Sequence, residues 1–274
     1  MGHEMKKFIL LLLSSLLLTT SAYATDWTQD ASCEFGYQFT ADHNSDSVIT
    51  DVCGNSLDGT AIGGDRPDWD NSTPASYNVS GSGGGYVTWT TDRITVPNSP
   101  SSKLVTTNRK SILWWNNGAA ADSARFTHIG GAGGSGQFMI TRDPSDELRY
   151  CFSFSDGLLS TTKLSGLSAG WHHFAFVTDE AQSGTDRLEI WIDGVAEVIQ
   201  VDSGDTTSFT NGTTAELILG QRRDGNLSLV NVDTDDWFWF SSALTEPDVN
   251  EFYDFGPTGD SGGGAAARRI MIIN

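Results

Sequence analysis

Trp171 to Val198 reads WHHFAFVTDEAQSGTDRLEIWIDGVAEV, and its alternation of apolar and polar segments is the clearest in the chain. Two apolar runs, Trp171–Val177 and Leu188–Ile192, flank a polar segment, and Asp193-Gly194 follows the second run. Runs of this length are strand-sized, and an Asp-Gly dipeptide tolerates the positive φ angles of a tight turn, so the pattern predicts two consecutive antiparallel hairpins. The same strand signature recurs in EFGYQF after Cys33, in GYVTWTTDRITV (Gly85–Val96) and in KSILWW (Lys110–Trp115). It continues through RFTHIG, GQFMITRD, ELRYCFSFSD, AELILGQRR (Ala215–Arg223) and TDDWFWFSSAL (Thr234–Leu244). Gly-rich or Asp-Pro turns separate these strands and no helical periodicity intervenes, which predicts a two-sheet sandwich. Residues 63–85, rich in Gly, Asp, Asn, Ser and Pro, read as a long surface loop. TEPDVNEFYD alone has a helix signature, with Thr245 as N-cap, Pro247 near the start and Glu246 and Asp248 in the first turn.

The two ends carry different signals. Lys6 and Lys7 precede the apolar run Phe8–Leu18 and then Ala22-Tyr23-Ala24, the order of a secretory signal peptide. The run is too short to span a bilayer. The expected organisation is a signal peptide over 1–24, one folded domain over 25–255 and a Gly/Ala-rich tail over 256–274 ending in RRIMIIN. That basic and apolar segment can add as a strand, engage a partner or the export machinery, or stay disordered, and the sequence does not choose.

Composition narrows the partners. With 16 basic and 35 acidic side chains the formal charge is -19, a field that repels nucleic acid and anionic lipid. A hydrophobic content of 38% still supplies a core. Export places the cysteines in an oxidising compartment, where a Cys33–Cys53 bridge is expected to contribute roughly 3 kcal/mol by closing a loop of about 20 residues. The cysteine spacing is not that of a zinc site. Cys151, inside the apolar LRYCFSFSD, reads as a buried free thiol. The sequons at Asn71, Asn78, Asn211 and Asn226 matter only in a eukaryotic secretory pathway.

WHHFAFVTD followed by LEIWIDGV resembles the central hairpin of laminin-G-like domains, the pentraxin and concanavalin A-like jelly rolls. DVCGNSLDGT (Asp51–Thr60) is similar to the D-x-x-G-N-x-x-D-G-T segment near the start of such domains, and KSILWW to their strand that enters the sandwich with a tryptophan. Asp235-Asp236, the aromatic strand, Ala243-Leu244-Thr245 and the acidic helix through Tyr253 resemble their closure. The motifs occur in family order from Phe35 to Tyr253. The resemblance implies an all-β, two-sheet antiparallel jelly-roll sandwich of concanavalin A-like type with a short C-terminal closing helix.

It also implies a structural calcium ion. Asp235 or Asp236, at the entrance of the last strand, would meet Asp51 and Asn55 near the first, and such oxygen donors are the set calcium prefers. Read alone, the Asp51–Asp58 stretch equally fits an Asx-turn in which these side chains cap their own backbone. Asp42, Asn44 and Asp46 imitate an EF-hand loop, but Ser47 and Cys53 replace the glycine and glutamate that such a loop requires.

Concanavalin A-like folds also host glucanases with the signature E-x-D-x-x-E, and Glu246, Asp248 and Glu251 spell that string. Those enzymes need it on a strand, where a bulge brings the carboxylates to one face. Here it contains Pro247 and sits in the predicted helix, so no catalytic residue is assigned. His172 and His173 are adjacent on a strand and point to opposite faces, which prevents chelation of one ion. The glycine runs Gly81–Gly85 and Gly130–Gly136 lack the GKS/GKT of a phosphate loop.

Aromatic residues offer the remaining clue, because an exposed indole can stack on a sugar ring. Trp237 and Trp239 share one face of the last strand, and Trp69 stands between Asp68 and Asp70 in a polar segment. These three are the candidate ligand contacts. The expected function is a secreted, non-catalytic module that binds a glycan or other surface ligand, in adhesion or recognition. The alternatives are a glycoside hydrolase or polysaccharide lyase of related fold, and a structural surface or particle-coat component.

Overall fold

A computed structural model describes residues 25–39, 48–62, 68–70, 86–89, 93–97, 109–117, 125–129, 138–142, 147–152, 157–163, 170–179, 181–182, 184–203, 216–220 and 232–256. The expected signal peptide, the EF-hand-like loop, both glycine runs, the four sequons and the terminal tail lie outside these residues.

The described chain forms two antiparallel sheets. The first contains β1 (Cys33–Tyr37), β4 (Asp68–Asp70), β5 (Tyr86–Trp89), β7 (Arg109–Asn117), β12 (Trp171–Asp179), β13 (Leu188–Ile192), β14 (Val195–Ala196) and β17 (Val232–Phe240). Its order is β14-β13-β12-β7-β17-β5-β4, and β1 pairs with the second half of β17. The second contains β2 (Val48–Ile49), β3 (Gly59–Ile62), β6 (Arg93–Val96), β8 (Arg125–Ile129), β9 (Phe138–Arg142), β10 (Glu147–Phe152), β11 (Gly157–Lys163), β15 (Ile199–Ser203) and β16 (Leu217–Leu219). Its order is β15-β11-β10-β9-β8-β16-β6-β3-β2. A single described α-helix, α1 (Glu246–Phe255), follows β17. The predicted jelly-roll-like sandwich with its closing helix is therefore present. Within 63–85, however, residues 68–70 pair as a strand with β5 where a continuous loop was expected.

Side-chain alternation explains why β7, β12 and β17 read as unbroken apolar runs. Ile112, Trp114, Phe174, Phe176, Trp237 and Trp239 point into the core between the sheets. Leu113, Ala175, Val177, Phe238 and Phe240 point to the opposite face, where Trp27 and the helical residues Val249 and Phe252 cover them. A sheet covered on both faces needs apolar residues at both parities. Trp114 is the centre of the inner layer, stacked 4.8 Å from Trp237, 5.3 Å from Phe174 and 5.5 Å from Phe176 between ring centroids.

Two local features hold the outer layer in place. Cys33 and Cys53 are bridged, tying β1 to the segment after β2. The Asp193-Gly194 turn takes positive φ at both residues (51° and 75°), as the dipeptide predicts, and a Cβ at Gly194 would lie 2.6 Å from Asn250 Oδ1. The glycine thus permits both the hairpin twist and the close seating of α1. Helix α1 begins with a capping box between Thr245 and Asp248 and carries Pro247 in its first turn.

Candidate functional site

The Asp51–Asp58 segment is organised by one carboxylate. Asp51 Oδ1 accepts from the amides of Gly36 (3.0 Å) and Cys53 (2.9 Å), and Oδ2 from those of Asn55 (3.0 Å) and Leu57 (3.3 Å). The Asp51 amide donates in turn to Asp58 Oδ1, and the Asn55 side chain donates to the Cys33 and Glu34 carbonyls. Tyr37 donates its hydroxyl to the Leu57 carbonyl at 2.6 Å, and burial, reinforced by the charges of Asp51 and Asp58, holds its pKa well above the usual phenol value. This is the Asx-turn chemistry open to these residue types.

The acidic pair of β17 occupies a different environment. Asp235 opposes Trp115, Phe238 opposes Leu113, and the extra residue between them forms a β-bulge in which Asp236 takes φ 47°. The bulge shifts the alternation so that Val232 and Thr234 before it, and Trp237 and Trp239 after it, serve the same inner side. Both carboxylates are fully buried. Burial and then the neighbouring Asp236 charge raise the Asp235 pKa well above the carboxylate range, while the Asp236 and Phe39 amides oppose the shift. Asp235 Oδ1 accepts from the Asp236 amide at 2.8 Å, and Oδ2 makes no hydrogen bond.

A buried carboxylate oxygen without a donor, beside a second carboxylate, is suited to a divalent cation, whose charge would reverse the cost of burying them. Asp51 and Asn55 are engaged by the backbone of β1 and of their own turn. Asp51 is saturated by amides, and among the described residues no three His, Cys, Asp or Glu side chains converge. The structure therefore divides the four expected ligands into a turn-forming set, Asp51 and Asn55, and a candidate cation pair, Asp235 and Asp236.

Strand register extends the acidic pair into a polar end of the first sheet. His172, Asn116 and Thr234 stand opposite one another on β12, β7 and β17, and Val87 and Trp69 continue that row across β5 and β4. The adjacent row is Trp171, Asn117, Asp233, Thr88 and Asp68. Thr234 Oγ1 donates to Asn116 Oδ1 at 3.2 Å, and Asn117 Nδ2 donates to Asp233 Oδ2 at 3.1 Å. His172 Nδ1 lies 2.6 Å from Asp193 Oδ2, and Asp193 Oδ1 accepts the His173 amide, which locks this end of β12 to the hairpin turn. Each row spans five strands, about 19 Å at the usual strand spacing, and the two rows belong to opposite faces of the sheet, the Trp171 row to the outer face and the row ending at the Trp69 position to the inner. Toward the middle of the sheet the same strands turn aromatic, with Trp114 and Trp115 on β7 and Phe174 on β12, all buried.

Trp171, Asn117 and Asp233, all half-buried, are candidate positions that sequence reasoning missed, while Asn116 and Thr234 in the adjacent row are buried toward the second sheet. The available signal was the abrupt change from aromatic to amide, hydroxyl or imidazole residues at the ends of WWNN, WHH and VDTDD. Trp237 and Trp239 require correction as ligand contacts: both are fully buried in the inter-sheet core, because their parity on β17 faces the second sheet. Trp69 lies in the edge strand β4, where a loop was expected.

The E-x-D-x-x-E string lies on α1, as its flanks predict. Asp248 accepts from the Thr245 amide and hydroxyl, and Glu251 accepts the Thr25 amide, so two of the three carboxylates secure the helix and the start of the described chain. His173, by contrast, lies beneath the helix among Trp115, Phe252 and Tyr253, with neither ring nitrogen hydrogen-bonded. Burial lowers its pKa to about 3, which keeps the imidazole neutral.

By sequence, no protein-family model and no curated protein matches this chain. By structure, the chain is similar to domain 4 of a GH43 extracellular arabinanase from Geobacillus stearothermophilus, solved with arabinotriose, at a TM-score of 0.58 and 18% identity. That match covers 81% of this chain and 98% of the arabinanase domain. A Trypanosoma rangeli sialidase bound to 2,3-difluorosialic acid matches at 0.53 and 12% identity over 82% of this chain but only 33% of its own. The receptor binding domain of botulinum neurotoxin D matches at 0.51 and 14% identity, over 81% of this chain and 52% of that one. These likenesses place the chain among β-sandwich domains of shared architecture.

Proposed function

We propose that this chain is a non-catalytic carbohydrate-binding module whose ligand lies along the polar end of the first sheet. The observation that carries the reading is the register that aligns Trp171, Asn117 and Asp233, with the Thr88 and Asp68 positions beyond them, in one row on the outer face of the first sheet, whereas the adjacent row of His172, Asn116 and Thr234 faces the second sheet. Amides, carboxylates and hydroxyls exchange hydrogen bonds with sugar hydroxyls, and indole faces accept the apolar faces of the rings. The arabinanase domain, of which nearly the whole length is matched, was solved with arabinotriose, which supports a glycan as ligand class. Asp235 and Asp236 are assigned to a structural calcium ion that stiffens the β17 bulge next to the row, in the manner of a laminin-G-like jelly roll. The Cys33–Cys53 bridge supports an extracytoplasmic location, where the module serves recognition or adhesion.

The test is a glycan panel that includes arabinotriose, run on the wild type in calcium and in chelator, with release of reducing ends assayed in the same wells. Saturable binding without release, weakened about tenfold or more by Trp171→Ala and by Asn117→Ala at unchanged thermal midpoint, is the expected result. Release of reducing ends would move the chain to the hydrolase class. Equal binding by both variants would remove the polar end from the site.

A further inference from the structure

A groove of about 850 Å³ lies on the outer side of the first sheet, at the end remote from the polar rows, between the β13–β14 edge and the start of α1. Its floor is apolar, formed by Val177, Trp191 and Leu244. Its rim is acidic, with Asp186, Glu189, Glu197 and Glu246, and among the described residues no Lys or Arg lines it. Asp179 also reaches the groove but is paired with Arg109 at 2.8 Å. At the margin, Val195 and Val198 are 62% and 70% exposed on or beside the outermost strand. Such an edge is a template for an added apolar strand.

The chain itself contains a segment with the complementary chemistry. Arg268-Arg269 precede Ile270-Met271-Ile272-Ile273, two cations followed by four apolar residues, three of them β-branched. The length between the two also fits. Helix α1 starts at the groove with Glu246 and spans about 15 Å, at 1.5 Å for each of its residues. The length and Gly/Ala-rich composition of Pro257–Ala267 correspond to a root-mean-square span of about 17–20 Å, enough to return along the helix. We propose that Arg268–Asn274 docks in this groove within the same chain, the arginines on the acidic rim and the isoleucines over the Trp191 floor. A tether of that length holds the segment at an effective concentration near the millimolar range, so that weak contacts suffice.

Limited trypsin digestion of the full chain, followed by mass spectrometry at Arg268 and Arg269, tests the proposal. Glu189→Gln with Glu197→Gln neutralises two rim charges. The amide introduced by Glu189→Gln retains an acceptor for the Trp191 indole N–H, which lies 3.3 Å from Glu189 Oε2 in the wild type. Glu216→Gln, an exposed position beside β16 of the second sheet, controls for removal of a carboxylate away from the groove. The expected result is cleavage about threefold to tenfold faster in the rim variant, as for loss of two exposed ion pairs. The control should match the wild type, and high salt should bring the wild type toward the rim variant. Equal rates in all three proteins would overturn the proposal. So would protection that appears only in concentrated protein and follows dimer formation in sedimentation, since the groove would then hold another copy's segment.

Discussion

Replacing His173 by phenylalanine tests the packing beneath α1 most directly. The imidazole is fully buried, its ring centroid 5.1 Å from Trp115, 5.6 Å from Phe252 and 5.8 Å from Tyr253, and neither nitrogen has a partner. The Asp193 carboxylate engages the His173 amide and the His172 ring, and leaves the His173 ring without a countercharge. Burial alone lowers the folded-state pKa from 6.5 to about 3. The unfolded chain therefore binds the proton more tightly, and the stability present above pH 6.5 is lost as the pH falls toward 3. Each pKa unit is worth about 1.4 kcal/mol, so the loss is about 2 kcal/mol near pH 5 and about 5 kcal/mol at the acid limit.

His173→Phe removes that proton linkage and leaves the other titrating groups in place. Asp235 shifts in the opposite direction, but it is common to both proteins and cancels in their difference. Urea unfolding followed by tryptophan fluorescence, from about pH 8 to about pH 5, should show the variant gaining about 2 kcal/mol relative to the wild type. A difference that stays constant across this range would refute the reasoning, because it would mean that His173 titrates alike in the folded and unfolded chains.

Two further predictions concern the acidic residues. In chelator, Asp235→Asn should unfold at the same or a higher temperature than the wild type near neutral pH, because a raised folded-state pKa makes Asp235 favourable in acid and costly as the pH rises above the normal carboxylate value. Calcium should raise the wild-type midpoint and leave the variant's unmoved; a wild type indifferent to calcium in scanning calorimetry would defeat the cation assignment. Asp51→Ala removes the acceptor of four backbone amides. At about 1.5–3 kcal/mol for a hydrogen bond to a charged group, and without full additivity, the expected loss is about 3–5 kcal/mol in urea unfolding. A loss below about 1 kcal/mol would show that the segment does not depend on this carboxylate.

Much of the fold was legible because strand signals are local. WHHFAFVTD and LEIWI pair as predicted, Asp193-Gly194 makes the turn, and Thr245 to Asp248 starts the helix. The helix assignment also placed the glucanase-like string off the strands, since Pro247 and the capping residues declare their conformation without reference to the rest of the chain. The candidate site was much less legible. Its members come from β12, β7 and β17, and they are brought into one row by pairings between residues more than fifty positions apart. No local spacing encodes such a row.

The sequence by itself determined the fold class, the positions of the central strands and of α1, and the acidic character of the chain. It also narrowed Asp51–Asp58 to two readings, both of which use the same oxygen-rich side chains. Tertiary structure shows the turn arrangement formed, with four amide donors converging on one carboxylate. It decided likewise that Trp237 and Trp239 belong to the core while Trp171, Asn117 and Asp233 align at the polar end of the sheet on its outer face. The physical reason is that alternation fixes which residues share a face, whereas only the packing of the second sheet and α1 fixes which face meets water.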